Sequence, residues 1–316
     1  MALWTLYKRE LNTYFQSAVA YIVLFGTALI QSLLFIVLLR FIIDANYKDQ
    51  SVMQIFFTWP LFFLFFLAQI PLITMRVFSE EFKLGTIEML LTAPVTEWDV
   101  VLAKFFGALT FSLILWLPII LDLSALQLFS NPRPPVYWSQ VGLTALTVAL
   151  ASSLYVSIGV LSSVLTRNQI IAAVLCFAFL VVFFLVSLWR WVQHMDETTL
   201  SWISYVSLPE HLQNAVLGIF DTRPLVFYIS LTAFMLMITK SLLKRAACAA
   251  EPRPAMNAEP PSARSTRRSA SLQILLNLVL AAVILVLANY LGFKHYDHKD
   301  LSASQYYVLS TRPRRC

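Results

Sequence analysis

Seven long apolar segments constrain what this chain can fold into more than any other feature of its sequence. They cover approximately residues 18–43, 54–76, 99–128, 138–165, 169–191, 223–243 and 272–293. A helix of about 20 apolar residues crosses the hydrocarbon layer of a bilayer, and only helices and closed barrels satisfy all backbone groups there. The segments lack the apolar/polar alternation of barrel strands. The sequence therefore predicts an all-α, polytopic membrane protein.

The composition agrees with lipid burial and narrows the choice of partners. Of the 316 residues, 59% are hydrophobic and 13% are charged, and the mean hydropathy is +0.73. The net charge of +6 could suggest nucleic acid, but the basic residues lie at the ends of apolar segments. Topology-setting charges beside an anionic leaflet have this distribution. We expect the lipid bilayer, and no nucleic acid, as a partner.

The placement of lysine and arginine predicts the orientation of the chain. With the N-terminus in the cytoplasm, the inner ends of the first six segments carry Lys8, Arg9, Arg76, Lys83, Lys104, Arg167, Lys240, Lys244 and Arg245. The outer loops carry only Arg40, Lys48, Arg133, Arg190 and Arg223. This asymmetry favours a multi-pass protein of the cell inner membrane with a cytoplasmic N-terminus.

Three further regions differ from the spans. Residues 1–17 have a helical period with aromatic residues on one side, which predicts an interfacial helix with that side toward lipid; a plain extension of the first span is the alternative. Residues 18–245 form a six-span unit. Residues 246–270, rich in Ala, Pro, Ser and Arg, predict a flexible cytoplasmic linker. Residues 271–316 then hold a seventh span, running outward, and a short tail whose basic residues work against that orientation.

The segment between the second and third spans is the most informative part of the chain. It begins as a charged amphipathic stretch with Leu84 and Ile87 toward the membrane, and Pro94 ends it. Thr96 and Asp99 then have the spacing of a helix N-cap and its partner. Such a cytoplasmic helix can serve as the handle of a motor protein, or it can be an ordinary charged loop. The residues predicted for coupling are Glu80, Glu81, Lys83, Gly85, Thr86 and Glu88.

These residues, with Leu90, Leu91, Pro94 and Val95, resemble the coupling segment of ABC-2 type permeases. A second similar stretch runs from Ile158 to Ala172, and a third from Gly218 to Arg223. Together they resemble the gliding-motility permease family GldF over residues 1–245, although Pro224 stands where an acidic residue is expected. Residues 277–310 resemble the opening of its partner family GldG, whose large extracytoplasmic domain does not follow here.

The resemblance implies a six-helix permease that forms a homodimer or pairs with a similar permease, and that binds a cytoplasmic ABC ATPase. It also implies an auxiliary protein with a large extracytoplasmic domain, and short re-entrant helices within 199–222. No Gly-x-x-x-x-Gly-Lys-Ser/Thr loop occurs in the sequence. ATP and Mg²⁺ are therefore expected on the ATPase, with no cofactor, metal site or catalytic residue in this chain.

A few polar residues inside the apolar segments invite a second interpretation. Lys104 and Asp122 lie in the third segment, where charges are costly and often functional, so they are candidates for a substrate pathway. They can also lie near the segment ends, where long side chains reach water. Small residues in the fourth segment predict close helix packing, more readily than substrate contact. These packing candidates are Ser153, Ser157, Gly159 and Ser163.

The function predicted from the sequence is the permease subunit of an ATP-driven ABC transporter, most simply an exporter. A membrane scaffold that transmits force in a motility or envelope complex and moves no solute is the alternative. A membrane-embedded enzyme would need clustered His, Asp or Ser residues facing one cavity, and the sequence contains no such cluster. His295 and His298 have a spacing that can touch a metal, but they lie in a polar tail.

Overall fold

The computed structural model is a bundle of long apolar helices. It describes residues 2–44, 52–87, 95–129, 137–188, 197–250, 261–294 and 298–300. Within these residues, seven helices are long and apolar enough to cross a membrane. The prediction of an all-α, polytopic membrane protein is therefore confirmed. A pair of three-residue strands is the one addition to it among the described residues.

The elements follow one another along the chain with short connections. The helices before the bundle centre are α1 (Ala2–Gln16), α2 (Ala18–Asp44), α3 (Val52–Thr58), α4 (Pro60–Thr74), α5 (Ser79–Leu84), α6 (Glu97–Ile114) and α7 (Leu117–Phe129). The remaining elements are α8 (Trp138–Val164), α9 (Gln169–Leu188), α10 (Glu197–Val206), α11 (Leu208–Val216), β1 (Ile219–Asp221), α12 (Thr222–Ala250), α13 (Pro261–Lys294) and β2 (His298–Asp300).

The second predicted span differs from the structure at its start. Its first residues form the separate helix α3, because Trp59 is extended and Pro60 opens α4. Proline lacks the backbone N–H that would continue a helix from the preceding turn. The span itself runs from Pro60 through α5 to Leu84. The second span therefore begins later than predicted and extends further toward the charged segment.

Helix α8 lies at the centre of the bundle and packs against α4, α6, α9, α11 and α12. Its Tyr155 ring lies 5.2 Å from the ring of Phe66, which in turn lies 5.2 Å from Trp116. All three aromatic side chains are buried. Large aromatic surfaces in van der Waals contact hold helices together where no hydrophobic driving force acts between them, as in lipid.

Close approach of α4 and α8 depends on the absence of a side chain at Gly159. A Cβ atom at this position would lie 2.2 Å from Thr74 Oγ1. Ser153 of the same helix lies 3.3 Å from Thr232 Oγ1 on α12, and Ser157 is buried. The structure therefore places these three predicted packing residues on the faces of α8 that meet its neighbours.

Helix α1 packs against α6, so its aromatic side does not face lipid as a whole. The Tyr14 ring stacks on Phe111 at 5.0 Å, and Tyr7 Oη lies 3.1 Å from Thr110 Oγ1. Trp4 remains 58% exposed. The aromatic periodicity predicted the helix, but α6 partly covers the apolar side that was assigned to lipid.

The stretch before the sixth span forms two short helices, α10 and α11, as the re-entrant prediction for 199–222 requires. They meet at Ser207, with Pro209 in the first turn of α11, and Gly218 follows at a φ of 84°. His211 of α11 lies 3.0 Å from Tyr228 Oη on α12. Burial lowers the pKa of His211 to about 4, so the imidazole is neutral at physiological pH.

The predicted linker is partly helical. Helix α12 continues to Ala250, and α13 begins at Pro261, while residues 251–260 lie outside the described residues. Alanine favours helix, and proline is tolerated at the first position of a helix. These preferences account for the extension of α12 and α13 into the predicted linker. The seventh helix is not separate from the six-span unit, because α13 packs against α12.

Strands β1 and β2 pair antiparallel, with Ile219 opposite Asp300. This pairing places the residues after α13 beside those before α12, so the two helices run in opposite directions. Near this end, Asn289 of α13 donates to Ser230 Oγ of α12 at 2.8 Å and accepts from Tyr205 Oη at 2.9 Å. The seventh helix is thus attached to the bundle by specific polar contacts.

Replacement of Gly159 by alanine should destabilise the bundle. The new methyl group would overlap Thr74, and overpacking of this kind costs about 1–3 kcal/mol. Thermal unfolding of the detergent-purified protein measures the effect. Gly142→Ala on the same helix is the matched control, since a Cβ there meets nothing within 4 Å. Equal melting temperatures for the two variants would contradict the close α4–α8 contact.

Replacement of Asn289 by leucine should loosen α13 from α12. Hydrogen bonds between membrane helices contribute about 0.6 kcal/mol on average and up to about 1.7. A Cβ built on Gly292 lies 3.3 Å from Val226 Cβ, so a cysteine pair at 226 and 292 reports the contact by disulfide formation. We expect slower cross-linking with Asn289→Leu and no change with Gln273→Leu, which alters an exposed amide on the same helix. Identical rates in both would refute the polar attachment.

Candidate coupling site

The charged segment begins as a continuation of the second span. A turn over residues 75–78 follows α4, and α5 then extends over Ser79–Leu84. Ser163 of α8 accepts hydrogen bonds from the backbone N–H groups of Phe78 at 2.8 Å and of Ser79 at 3.0 Å. These donors at a helix start have no partner within the helix itself. A side chain of the central helix thus fixes where α5 begins.

Lys104 of α6 joins three elements through two ion pairs. Its Nζ lies 3.1 Å from Glu10 Oε2 on α1 and 2.8 Å from Glu81 Oε1 on α5. The Lys104 side chain is only 4% exposed, and its ammonium also lies 5.3 Å from the Phe78 ring centroid. We call Glu10, Glu81 and Lys104 the ionic cluster.

The ionic cluster is a strong constraint on the three elements. A charge taken out of water costs several kcal/mol, and only close partners offset this cost. The Lys104 side chain is almost fully buried, so its ammonium needs the close carboxylates of Glu10 and Glu81. Movement of α5 away from α6 would separate Glu81 from Lys104, and movement of α1 would separate Glu10 from it. The three elements therefore move together, because separating one of them from the others has a considerable energetic cost.

Arg76 forms a second link beside the ionic cluster. Its guanidinium donates to Glu80 Oε2 at 3.1 Å and to Ser17 Oγ at 3.2 Å. Ser17 is the residue between α1 and α2. Arg76 and Glu80 are partly exposed, and pairs of this kind stabilise by less than about 1 kcal/mol. Their effect is to direct Glu80 toward the α1–α2 junction.

The exposed part of the segment is its far end. Lys83, Gly85 and Thr86 are exposed, and Leu84 is 67% exposed. Gly85 has a φ of 72° and ends α5, since glycine adopts this conformation without steric cost. The helix thus ends well before Pro94, the residue predicted to break it. Ile87 is buried in the core and does not face the membrane. Glu88 and Pro94 lie outside the described residues.

Two of the three acidic residues predicted for coupling contact cations of this chain. Glu80 contacts Arg76, and Glu81 contacts Lys104. The structure therefore divides the predicted coupling residues into an inner set and an outer set. The inner set connects α5 to the bundle, and the outer set, residues 83–86, faces away from it.

A cavity of about 530 Å³ lies beside the ionic cluster, among α1, α2, α4 and α5. Its lining includes Tyr14, whose hydroxyl donates to the carbonyl of Ile73 at 3.3 Å. Burial, with the nearby Glu10 carboxylate, raises the pKa of Tyr14 well above its ordinary value. The hydroxyl therefore remains a neutral donor throughout the physiological range.

The third span begins with the predicted cap. Thr96 Oγ1 accepts from the backbone N–H of Asp99 at 3.2 Å, and Asp99 Oδ2 accepts from the backbone N–H of Thr96 at 3.1 Å. This reciprocal arrangement is a capping box, so that prediction is confirmed. Trp98 in the same turn lies under Lys240 Nζ, 4.7 Å from the ring centroid.

The two residues considered for a substrate pathway are not brought together. Lys104 belongs to the ionic cluster, whereas Asp122 lies on α7 and accepts from Ser32 Oγ of α2 at 3.0 Å. Eighteen residues separate them, about 27 Å along a helix. Their partners lie on different helices, so these charges do not form one site.

Sequence analysis missed the partners that make this site. Glu10 and Ser17 were not singled out, although a lysine inside an apolar segment requires a nearby carboxylate. Two buried glutamines, Gln31 and Gln69, were also missed, and the described residues offer their amides no hydrogen-bond partner. In that same part of the chain, no group of three His, Cys, Asp or Glu side chains is arranged to hold a metal ion.

A comparison with known protein families gives a match that agrees with this architecture. The family model described as ABC-2 type transporter matches residues 1–220, which include α1, the ionic cluster, α5 and the bundle as far as α11. A comparison with curated proteins found no match. The match covers more than half of the chain and contains the whole coupling site, so this chain belongs to the ABC-2 type transporter family.

Proposed function

We propose that this chain is the membrane-spanning permease of an ATP-driven exporter and that a separate cytoplasmic ABC ATPase drives it. Family membership supports the role of a permease subunit in an ABC transporter. The direction of transport, the ATPase and its docking site are the further content of the proposal. It places the N-terminus, α5 and the ionic cluster on the cytoplasmic side of the inner membrane.

The observation that carries the proposal is the ionic cluster. The ATPase contacts the exposed end of α5, residues 83–86, and its nucleotide cycle displaces this end. Because Lys104 holds both Glu81 and Glu10, the displacement reaches α6 and α1 at once. Ser163 connects it to the central helix α8. A change in motor contact is thereby converted into a change in the bundle.

The remaining partners follow from the family resemblance and the sequence. The permease acts as a homodimer or pairs with a similar permease. An auxiliary protein with a large extracytoplasmic domain associates with it, as the resemblance to the gliding-motility permeases implies. ATP and Mg²⁺ are bound by the ATPase, and this chain makes no covalent change to the substrate. The scaffold alternative keeps the same docking geometry but moves no solute.

The exposed lysine is the sharper probe of ATPase docking. Lys83→Glu should weaken binding of the ABC ATPase that co-purifies with the chain by at least about tenfold, because it reverses a rim charge at the contact. Lys83→Arg, which keeps the charge, should bind normally. Glu81→Lys is a poorer probe, since it places a second ammonium beside Lys104. Unchanged binding by Lys83→Glu would exclude residues 83–86 as the contact.

The ionic cluster allows stability and coupling to be separated. Lys104→Met leaves the partly exposed carboxylates of Glu10 and Glu81 close together without their shared cation. Loss of one partner of a fully buried pair costs about 3–5 kcal/mol, so we expect destabilisation up to that size. The neutral triple variant Glu10→Gln, Glu81→Gln, Lys104→Met should recover most of the melting temperature, since neutral residues need no ionic partner. In reconstituted vesicles the triple variant should still show reduced ATP-driven solute flux per ATP hydrolysed. If the triple variant shows the wild-type flux per ATP hydrolysed, the ionic cluster has only a structural role. If the wild-type protein supports ATP hydrolysis but no solute flux, the scaffold alternative is favoured.

A further inference from the structure

Helices α12 and α13 enclose a groove that the transport function does not use. Near one end they touch, where Asn289 meets Ser230 and Gly292 meets Val226. Toward the other end they leave a groove of about 450 Å³. It extends along α12 from Ser230 to Lys244 and along α13 from Ala288 to Asn277. The groove therefore lies between two membrane-spanning helices.

The middle of the groove is apolar. Its lining there comes from both helices and consists of Ala233, Phe234, Met237, Ala281, Ile284 and Leu285. Ala233 of α12 and Ala281 of α13 contribute only methyl groups to this lining and leave space that larger side chains would fill. An apolar trough between membrane helices is a suitable surface for an acyl chain.

Two lysines line the end of the groove that lies at the level of the coupling site. Lys240 and Lys244 are separated by one turn of α12, so they occupy the same face. Lys240 Nζ lies over Trp98, in the capped first turn of α6. No carboxylate of the described residues forms an ion pair with either lysine. Asn277 of α13 adds an amide donor at the same end.

We propose that this groove binds one anionic phospholipid of the leaflet on the coupling-site side. An acyl chain occupies the apolar trough, and the headgroup phosphate lies between Lys240 and Lys244. Basic pockets between membrane helices recognise anionic headgroups in this way, with each lysine adding to the attraction. The lipid completes the contact between α12 and α13 where side chains alone leave a gap. The proposal does not depend on the ATPase or on transport.

Native mass spectrometry of the full chain in detergent tests the lipid preference. Dioleoyl phosphatidylglycerol and dioleoyl phosphatidylcholine share their acyl chains, so their comparison isolates the headgroup. We expect the wild type to retain one phosphatidylglycerol in preference to phosphatidylcholine. Lys240→Gln with Lys244→Gln should reduce that preference by about tenfold or more. Lys8→Gln with Arg167→Gln removes the same charge at exposed positions outside the groove and should leave the preference unchanged.

A second pair of variants tests the trough independently of charge. Ala281→Phe should fill it and displace the lipid, whereas Val279→Phe adds the same side chain at a position of α13 that is 56% exposed and outside the groove. Equal binding of both lipids by the wild type, or equal retention by the Ala281 and Val279 variants, would mean ordinary annular lipid and overturn the proposal. A dimer of the chain that is lost on the lysine substitutions would assign the groove to a second copy and overturn it as well.

Discussion

The placement of one buried ammonium constrains the whole charged end of this protein. Lys104 enters the bundle on α6 with its side chain almost fully buried, and Glu10 of α1 and Glu81 of α5 both contact its ammonium. A buried ammonium without such partners is strongly destabilising. The packing of α1 and the path of α5 are therefore consequences of where Lys104 lies. Tyr14 on Phe111 and Ser163 at the start of α5 add the short-range contacts that fix both elements.

Much of the fold follows from the sequence because lipid leaves a chain few choices. Apolar length predicted seven spans, and the Thr96–Asp99 spacing predicted the cap of α6. Both patterns involve only residues that are close in the sequence, so they can be recognised without knowledge of tertiary contacts. The break at Trp59 and the end of α5 at Gly85 were local too, but several nearby residues were equally able to end a helix. Boundaries consequently shifted, while the number and type of spans did not.

The site was harder to predict because it depends on residues distant in sequence. Glu80 and Glu81 were assigned to the polar side of a coupling helix from the amphipathic pattern and the family resemblance. The pattern cannot reveal that Arg76 and Lys104 lie within reach of them. Likewise, the aromatic side of α1 suits lipid and protein equally well, and only the position of α6 decides between them. Glu10, about 94 residues before Lys104, carried no local signal beyond the need of a buried lysine for a partner.

In the function that we propose, the division into inner and outer charges allows one short segment both to dock a motor and to transmit its movement. A contact that binds a motor must be reachable, so it belongs to the exposed end at residues 83–86. A contact that carries force must resist separation, so it belongs to the buried pairs around Lys104. Had Glu81 faced the motor, Lys104 would keep only Glu10 as a partner, and α5 would be loosely attached to α6. Glu81 and Lys83 place the two requirements two residues apart on α5, and the helix directs these side chains to different sides.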